Sequence, residues 1–272
     1  MIRYWYRVYR ANLRVAWALM LQYRFSTLIW ALWGFVGPLI SLAVWSAATR
    51  SRGSDVVRGS QVYSAGDFAA YFLVYMIFSH FTMSWDAFEF AYRVRTGSLS
   101  PQLLRPMHPI HADASFNIGF KVLTTLVLLP AWILLFVLLH PQLPSTALDI
   151  LIAVPTLLLA GLVRYIWQYT LAAVAFWTVR VDAINQFYYV LDAFLAGRIA
   201  PIALMPVWIG AISRFTPFYG MGAFPVEVAL GRVAGSDLLS GIAAQIVWLG
   251  VGIVVFRFVW NAGVRQYSAV GA

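Results

Sequence analysis

His108 and His111 stand three residues apart, with Asp113 two further on, a set of residue types that can hold a metal ion. Pro106 and Pro109 interrupt the stretch and work against the helical spacing that would aim both imidazoles at one point. The two histidines therefore read as solvated loop residues, and no metal site is expected. Asp86 and Glu89 have the spacing of a proton relay, but Arg93 follows within two helical turns, so salt bridging to that arginine is the expectation. Arg164, Asp192 and Arg198 fall within apolar segments. Ionisable groups at such depth are functional candidates, here for a translocation path; the competing role is a structural Arg164–Asp192 ion pair between helices. The chain has no cysteine, which excludes thiolate catalysis, thiolate metal sites and disulfides. Its one lysine, Lys121, follows SFNIGF and not a glycine-rich turn, so ATP is not bound through a P-loop. A lipid-modifying enzyme would have only Asp86, Glu89, His108 and His111 for its polar cluster, in no recognised metal spacing.

The elements that carry these residues are membrane helices. The sequence is 62% hydrophobic and 11% charged, with a mean hydropathy of +0.77, whereas soluble domains carry about 25% charged residues. Uncharged or nearly uncharged windows of spanning length lie at Thr27–Ala48, Phe68–Trp85, Val122–Leu139, Ile150–Trp177 (crossing Arg164) and Leu238–Phe256. A further segment, Ala183–Ile212, is apolar but broken by Asp192, Arg198, Pro201 and Pro206. The fold class expected is all-α: one polytopic membrane domain over residues 1–272, with six transmembrane helices, one of them irregular. The first 24 residues lack the apolar core and cleavage site of a signal peptide. The net charge of +9 fits anionic lipid headgroups and the positive-inside bias better than nucleic acid. With both termini inside, the inner segments hold ten arginines (3, 7, 10, 14, 24, 93, 95, 105, 180, 265) and the outer ones five (50, 52, 58, 214, 232). That bias places both termini in the cytoplasm.

Arg3, Arg7, Arg10 and Arg14 recur at spacings that share one helical face, with Trp5, Tyr9, Leu13, Ala16, Trp17 and Met20 largely opposite. Residues 1–24 thus read as an amphipathic helix lying in the inner interface. Gly34, Gly37 and Pro38, and then Pro130 and Pro155, mark kinks or close packing inside spans. Ser51–Gly66 reads as a polar outer loop, His140–Thr146 as a tight outer turn and Arg180–Asn185 as a short inner turn. Gly210–Asp237 is too rich in glycine, proline and charge for a span, and fits two short re-entrant helices on the outer side. Tyr92–Asp113 is a polar interruption with three arginines, one glycine and three prolines, better suited to docking a protein than to chemistry.

Three stretches give a resemblance. RTGSLSPQLLRPMHP at Arg95–Pro109 is similar to the G-x-L-x-x-x-L-L-R-P segment of the type-2 ABC transporter permeases, matching at Gly97, Leu99, Leu103, Leu104, Arg105 and Pro106. FLAGRIAPIALMP at Phe194–Pro206, followed by TPFYGMGAFPVEVALG at Thr216–Gly231, and the short tail from Arg265 complete the likeness, which covers nearly the whole chain. The resemblance implies that a separate ATPase subunit, carrying ATP and magnesium, binds the cytoplasmic face. The loop holding Arg95–Pro106 would be its coupling element, and residues 1–24 the connecting helix. No cofactor would reside in this chain. Two permeases would pair, as homodimer or heterodimer, in a prokaryotic plasma membrane, and export a small or amphipathic solute. The arginine-rich first outer loop has no counterpart in that pattern. The alternative reading is a stand-alone ion-coupled transporter, motivated by the intramembrane charges and the broken fifth element.

Overall fold

The computed structural model describes residues 2–52, 54–58, 61–178 and 181–267. Arg180 and the tail beyond Tyr267 lie outside the described residues. The chain is helical almost throughout. Helix α1 (Ile2–Gln22) turns directly into α2 (Arg24–Arg52), and α3 (Ala65–Thr82) is followed by α4 (Asp86–Arg95). A single turn, α5 (Ser100–Leu103), precedes α6 (Pro109–Leu139), α7 (Ala147–Ala173) and α8 (Val181–Leu195). Three short helices, α9 (Val207–Phe215), α10 (Pro217–Met221) and α11 (Ala223–Ala229), lead into the long α12 (Gly235–Gln266). Among the described residues, five helices are long and apolar enough to cross a membrane: Arg24–Ser51, Ala65–Arg95, Pro109–Leu139, Ala147–Phe176 and Gly235–Gln266. The protein is a multi-pass membrane protein. The sixth expected element is the irregular one. Helix α8 has 15 residues, about 22 Å at 1.5 Å per residue, short of a ~30 Å hydrocarbon core.

The first expected outer loop is instead partly ordered as a ribbon, β1 (Val56–Arg58) against β2 (Gln61–Tyr63), antiparallel with Val56 opposite Tyr63. Its cause is a period-two alternation that the overall polarity concealed: Val56 and Tyr63 are buried while Val57 and Val62 are exposed. The stretch expected to be re-entrant likewise forms three short helices, not two. Pro217 opens α10 at its first turn and Gly222 separates α10 from α11. Every side chain of α11 is buried.

Breaks at membrane depth are covered by protein, as they must be where no water can satisfy the backbone. After α8 the chain reverses through Gly197 at φ 78°. Its carbonyl accepts from the Tyr71 hydroxyl at 2.9 Å, that of Arg198 from Ser41 at 3.4 Å and that of Ile199 from the Trp45 indole at 2.9 Å. Gly37 is the close-packing residue its position suggested: a Cβ there would sit 3.1 Å from the Arg198 guanidinium. At residues 83–85 the second span is interrupted. Ser84 donates to the Asp86 carboxylate, and the Ser84 carbonyl accepts from Tyr189 at 3.3 Å.

Gly197 carries a direct test. A methyl group there would lie 2.3 Å from the Tyr71 hydroxyl and 2.9 Å from the Ala223 side chain, on a backbone conformation that alone costs about 1–3 kcal/mol for other residues. Gly197→Ala is expected to lower the thermal midpoint in detergent by several degrees. Gly34→Ala, with nothing within 4 Å, is expected to leave it unchanged.

Candidate docking segment and its buried support

The segment from Arg93 to Asp113 is ordered by contacts that sequence spacing did not reveal. Helix α4 ends at Thr96, and Gly97 takes the left-handed conformation (φ 72°) that lets the chain leave a helix C-terminus. Leu99 then folds back, its N–H donating to the Arg93 carbonyl at 3.2 Å and its side chain fully buried. It enters an aromatic core with Phe90, Tyr169, Phe176 and Trp260, drawn from α4, the end of the fourth span and α12. Leu103 packs against the same core.

Electrostatics fix the segment from the other side. Arg93 Nη2 lies 2.7 Å from Asp113 Oδ2, Arg93 Nη1 donates to Gln102 Oε1 at 2.7 Å, and the Tyr169 hydroxyl donates to the same Asp113 oxygen at 2.8 Å. The cluster ties α4, α5, α6 and α7 together. This corrects the expectation that Arg93 pairs with Asp86 or Glu89: Asp86 is buried at the start of α4 and bonds Ser84. A partly buried pair of this kind is strongly coupled to the fold, since leaving either charge alone costs about 3–5 kcal/mol. At the C-terminal end Ser100 and the Tyr267 hydroxyl are 3.0 Å apart, which brings the end of α12 to the segment. Arg95 lies 3.5 Å from Asp182 at the start of α8.

His108 and His111 are not the solvated residues the sequence suggested. The unprotonated His108 Nδ1 accepts the Ile110 N–H at 3.2 Å, making it the N-cap of α6, and its ring packs 4.2 Å from Trp260 and 5.7 Å from Phe256. His111 Nδ1 lies 2.8 Å from the Tyr9 hydroxyl, and its ring 4.7 Å from Trp5. Both imidazoles are occupied by packing, and no group of metal-binding side chains occurs among the described residues. The prolines that argued against a metal geometry have a positive role, with Pro109 opening α6.

His111 is also where α1 docks. The Trp17 indole donates to the Gly119 carbonyl at 3.0 Å, and Gly119 admits Ala16. Arg3, Arg7, Arg10 and Arg14 all face outward, while Ala16 and Met20 are buried against α6 and its neighbours. The four arginines thus share one exposed face.

Thr96, Ser98 and Pro101 are exposed, and the longest exposed run of the segment is a short tip. Leu104 is 88% exposed, and Arg105 and Pro106 are exposed beside it. Gly97, Leu99 and Leu103, which the sequence pattern grouped with them, instead hold the tip in place. Deeper in the bundle Arg164 Nη1 and Asp192 Oδ1 are 2.7 Å apart, and Arg164 Nη2 donates to the Met221 carbonyl at 3.3 Å. Both side chains are buried. Arg198 is half-buried beside α2. It forms no ion pair with Asp192 among the described residues.

What spacing missed is the pairing of Asp113 with Arg93, and the parts of Gln102 and Tyr169 in it. The available signal was Asp113, an acid at the start of an otherwise apolar run, needing a cation within reach.

Burial, aided by the nearby His111 and opposed by Asp113, holds the His108 pKa down to about 4 from its ordinary 6.5. The fold favours the neutral ring, so this contribution is intact above pH 6.5 and is lost as pH falls toward 4. The detergent-solubilised protein is expected to lose thermal stability over that window. His108→Asn, which keeps a capping acceptor, is expected to show a smaller loss in the same melting series.

A family model described as ABC-2 family transporter protein matches residues 35–271. No curated protein matches the chain. The matched region includes the docking segment, the broken fifth element and α12, and begins after α1.

Proposed function

The chain belongs to the ABC-2 transporter family, and on that footing we propose that it exports a small or amphipathic solute using ATP hydrolysed by a separate subunit. It is a membrane subunit of an ABC transporter. In this reading the tip at Leu104–Pro106 enters a groove of the ATPase, which carries ATP and magnesium. Both termini face the cytoplasm of a prokaryotic cell, α1 lies in the inner headgroup layer with its arginines toward anionic lipid, and a second permease completes the pathway.

The observation that carries this reading is the contrast within one segment. Leu104 is almost fully exposed outside the apolar spans, where lipid tails do not cover it, while Leu99 is buried five residues earlier. A leucine held out on a rigid mount suits insertion into a partner's pocket. Because the mount is bonded to α4, α6, α7 and α12, a displacement of the tip reaches the spans with little loss. Arg164 and Asp192, having neutralised one another, serve the helix packing. Their pairing accounts for two of the three intramembrane charges that motivated an ion-coupled carrier. Arg198 is the remaining candidate for the solute path.

The experiment is co-purification and transport with the cognate ATPase. Leu104→Asp combined with Arg105→Glu is expected to abolish ATPase retention and transport while leaving the permease's melting temperature within about a degree, because neither side chain is buried. Full transport by this double variant would refute docking at the tip. Leu99→Ala is expected to behave oppositely, costing about 2–5 kcal/mol of permease stability through a buried cavity.

A further inference from the structure

At the opposite end of α12 from Tyr267 the structure holds a cavity of about 340 Å3. It lies between the β-ribbon, the short helices and the first turns of α12, and its wall includes Arg214, Arg232, Glu227, Asp237, Tyr63 and Tyr219. The α12 residues on its wall run from Asp237 to Ala244, so the cavity lies roughly 35–45 Å along that helix from the candidate docking segment at Tyr267. It has no part in ATPase docking.

No two of the four charged groups around it form an ion pair among the described residues. Arg232 Nη2 holds Asp67 at 2.7 Å and its guanidinium carbon lies 4.2 Å from the Tyr63 ring centre, but its Nη1 is buried without a hydrogen-bond partner. Arg214 lies over Tyr219, 5.9 Å from the ring centre, and is in no ion pair among the described residues. Glu227 is buried and accepts from the Tyr219 hydroxyl at 2.6 Å. Asp237, in the first turn of α12, is exposed and in no described ion pair. Two guanidinium groups and two carboxylates therefore share one cavity wall, and none of the four is bridged to another.

A simple anion entering this space would meet two carboxylates, and a simple cation two guanidinium groups. A ligand carrying both charges satisfies each. Guanidinium groups favour phosphate through paired N–H donors, and carboxylates beside tyrosine rings suit an ammonium group. The volume is at the small end of ligand cavities. The site also lies at the N-terminal end of α12, whose 32 residues are longer than the ~30 Å hydrocarbon core requires, so a headgroup is within reach of it. We propose that this cavity binds a phosphate–ammonium zwitterion of the phosphoethanolamine type, presented either as a lipid headgroup or as a free solute.

The test uses the full chain in nanodiscs of phosphatidylglycerol alone, with glycerophosphoethanolamine as the soluble probe, read by calorimetry. A parallel set of mixed phosphatidylethanolamine and phosphatidylglycerol nanodiscs is read by native mass spectrometry for retained lipid. Arg214→Ala is expected to weaken both glycerophosphoethanolamine and glycerophosphate roughly tenfold or more, the loss typical of a hydrogen bond to a charged group. Asp237→Asn is expected to weaken only the ethanolamine compound. Neither residue is in a described ion pair, so both variants should fold, which their melting curves would verify. Binding of the soluble probe without preferential lipid retention assigns the free solute. Preferential retention of phosphatidylethanolamine, lost in the variants, assigns the headgroup. Absence of both, or affinity and retention unchanged in both variants, overturns the proposal. No ATPase is required, so either outcome leaves the docking reading intact.

Discussion

Arg93, Arg164 and Arg232 lie in or close to the interior of this protein, and each has a carboxylate oxygen 2.7 Å away: Arg93 with Asp113, Arg164 with Asp192, and Arg232 with Asp67. A low-dielectric setting favours such pairing, because an uncompensated buried charge costs several kcal/mol; the half-buried Arg198 is in no ion pair among the described residues. The pairs are placed where the helical architecture is interrupted. Arg93–Asp113 joins the two sides of the docking segment, Arg164–Asp192 holds α8 just before its chain reversal, and Arg232–Asp67 ties the turn after α11 to the first turn of α3. Each binds an irregular element to one of the long spans. The pairs add orientation, while burial of aromatic and aliphatic side chains supplies the bulk of the stabilisation.

The same constraint explains why the candidate docking segment is a mount and not a flexible loop. Its polypeptide contains one helical turn, yet its carbonyls, amides and side chains are engaged by the spans around it. Leu99 enters the aromatic core, His108 caps α6, and Gln102 holds Arg93. Leu104, Arg105 and Pro106 form an unbroken exposed run, with Thr96, Ser98 and Pro101 also exposed before it. A partner pushing on this tip pushes on four helices. The far end of the bundle has a corresponding construction, with α11 buried and its neighbouring charges facing a cavity, so α12 links two structured ends.

The long spans were legible in the sequence because uncharged runs of twenty residues have few alternatives. The exposed arginine face of α1 followed from spacings of three and four. The Arg164–Asp192 pair was foreseeable from charge alone. Other features were hidden for physical reasons. Leu99, Leu103 and Leu104 are the same residue type within six positions, and only the positive-φ turn at Gly97 decides which face inward. His108 and His111 look soluble in a polar stretch, but Trp260 and Tyr9 arrive from remote parts of the chain to cover them. The β-ribbon was masked because glycine, serine and arginine dominate the composition around a short valine alternation. Arg93 was matched to its near neighbours when its partner lay twenty residues on, across the turn.

The central claim is that the exposed tip is where an ATPase subunit delivers its motion. The sequence contains no cysteine, so a single Leu104→Cys substitution can carry a photo-activated cross-linker without background. In membranes that also contain the cognate ATPase, the probe at position 104 is expected to yield a covalent product identified as that ATPase. The same probe at Leu239, exposed near the other end of α12, is expected to yield none. Capture of the ATPase from position 239 but not from 104 would contradict the account.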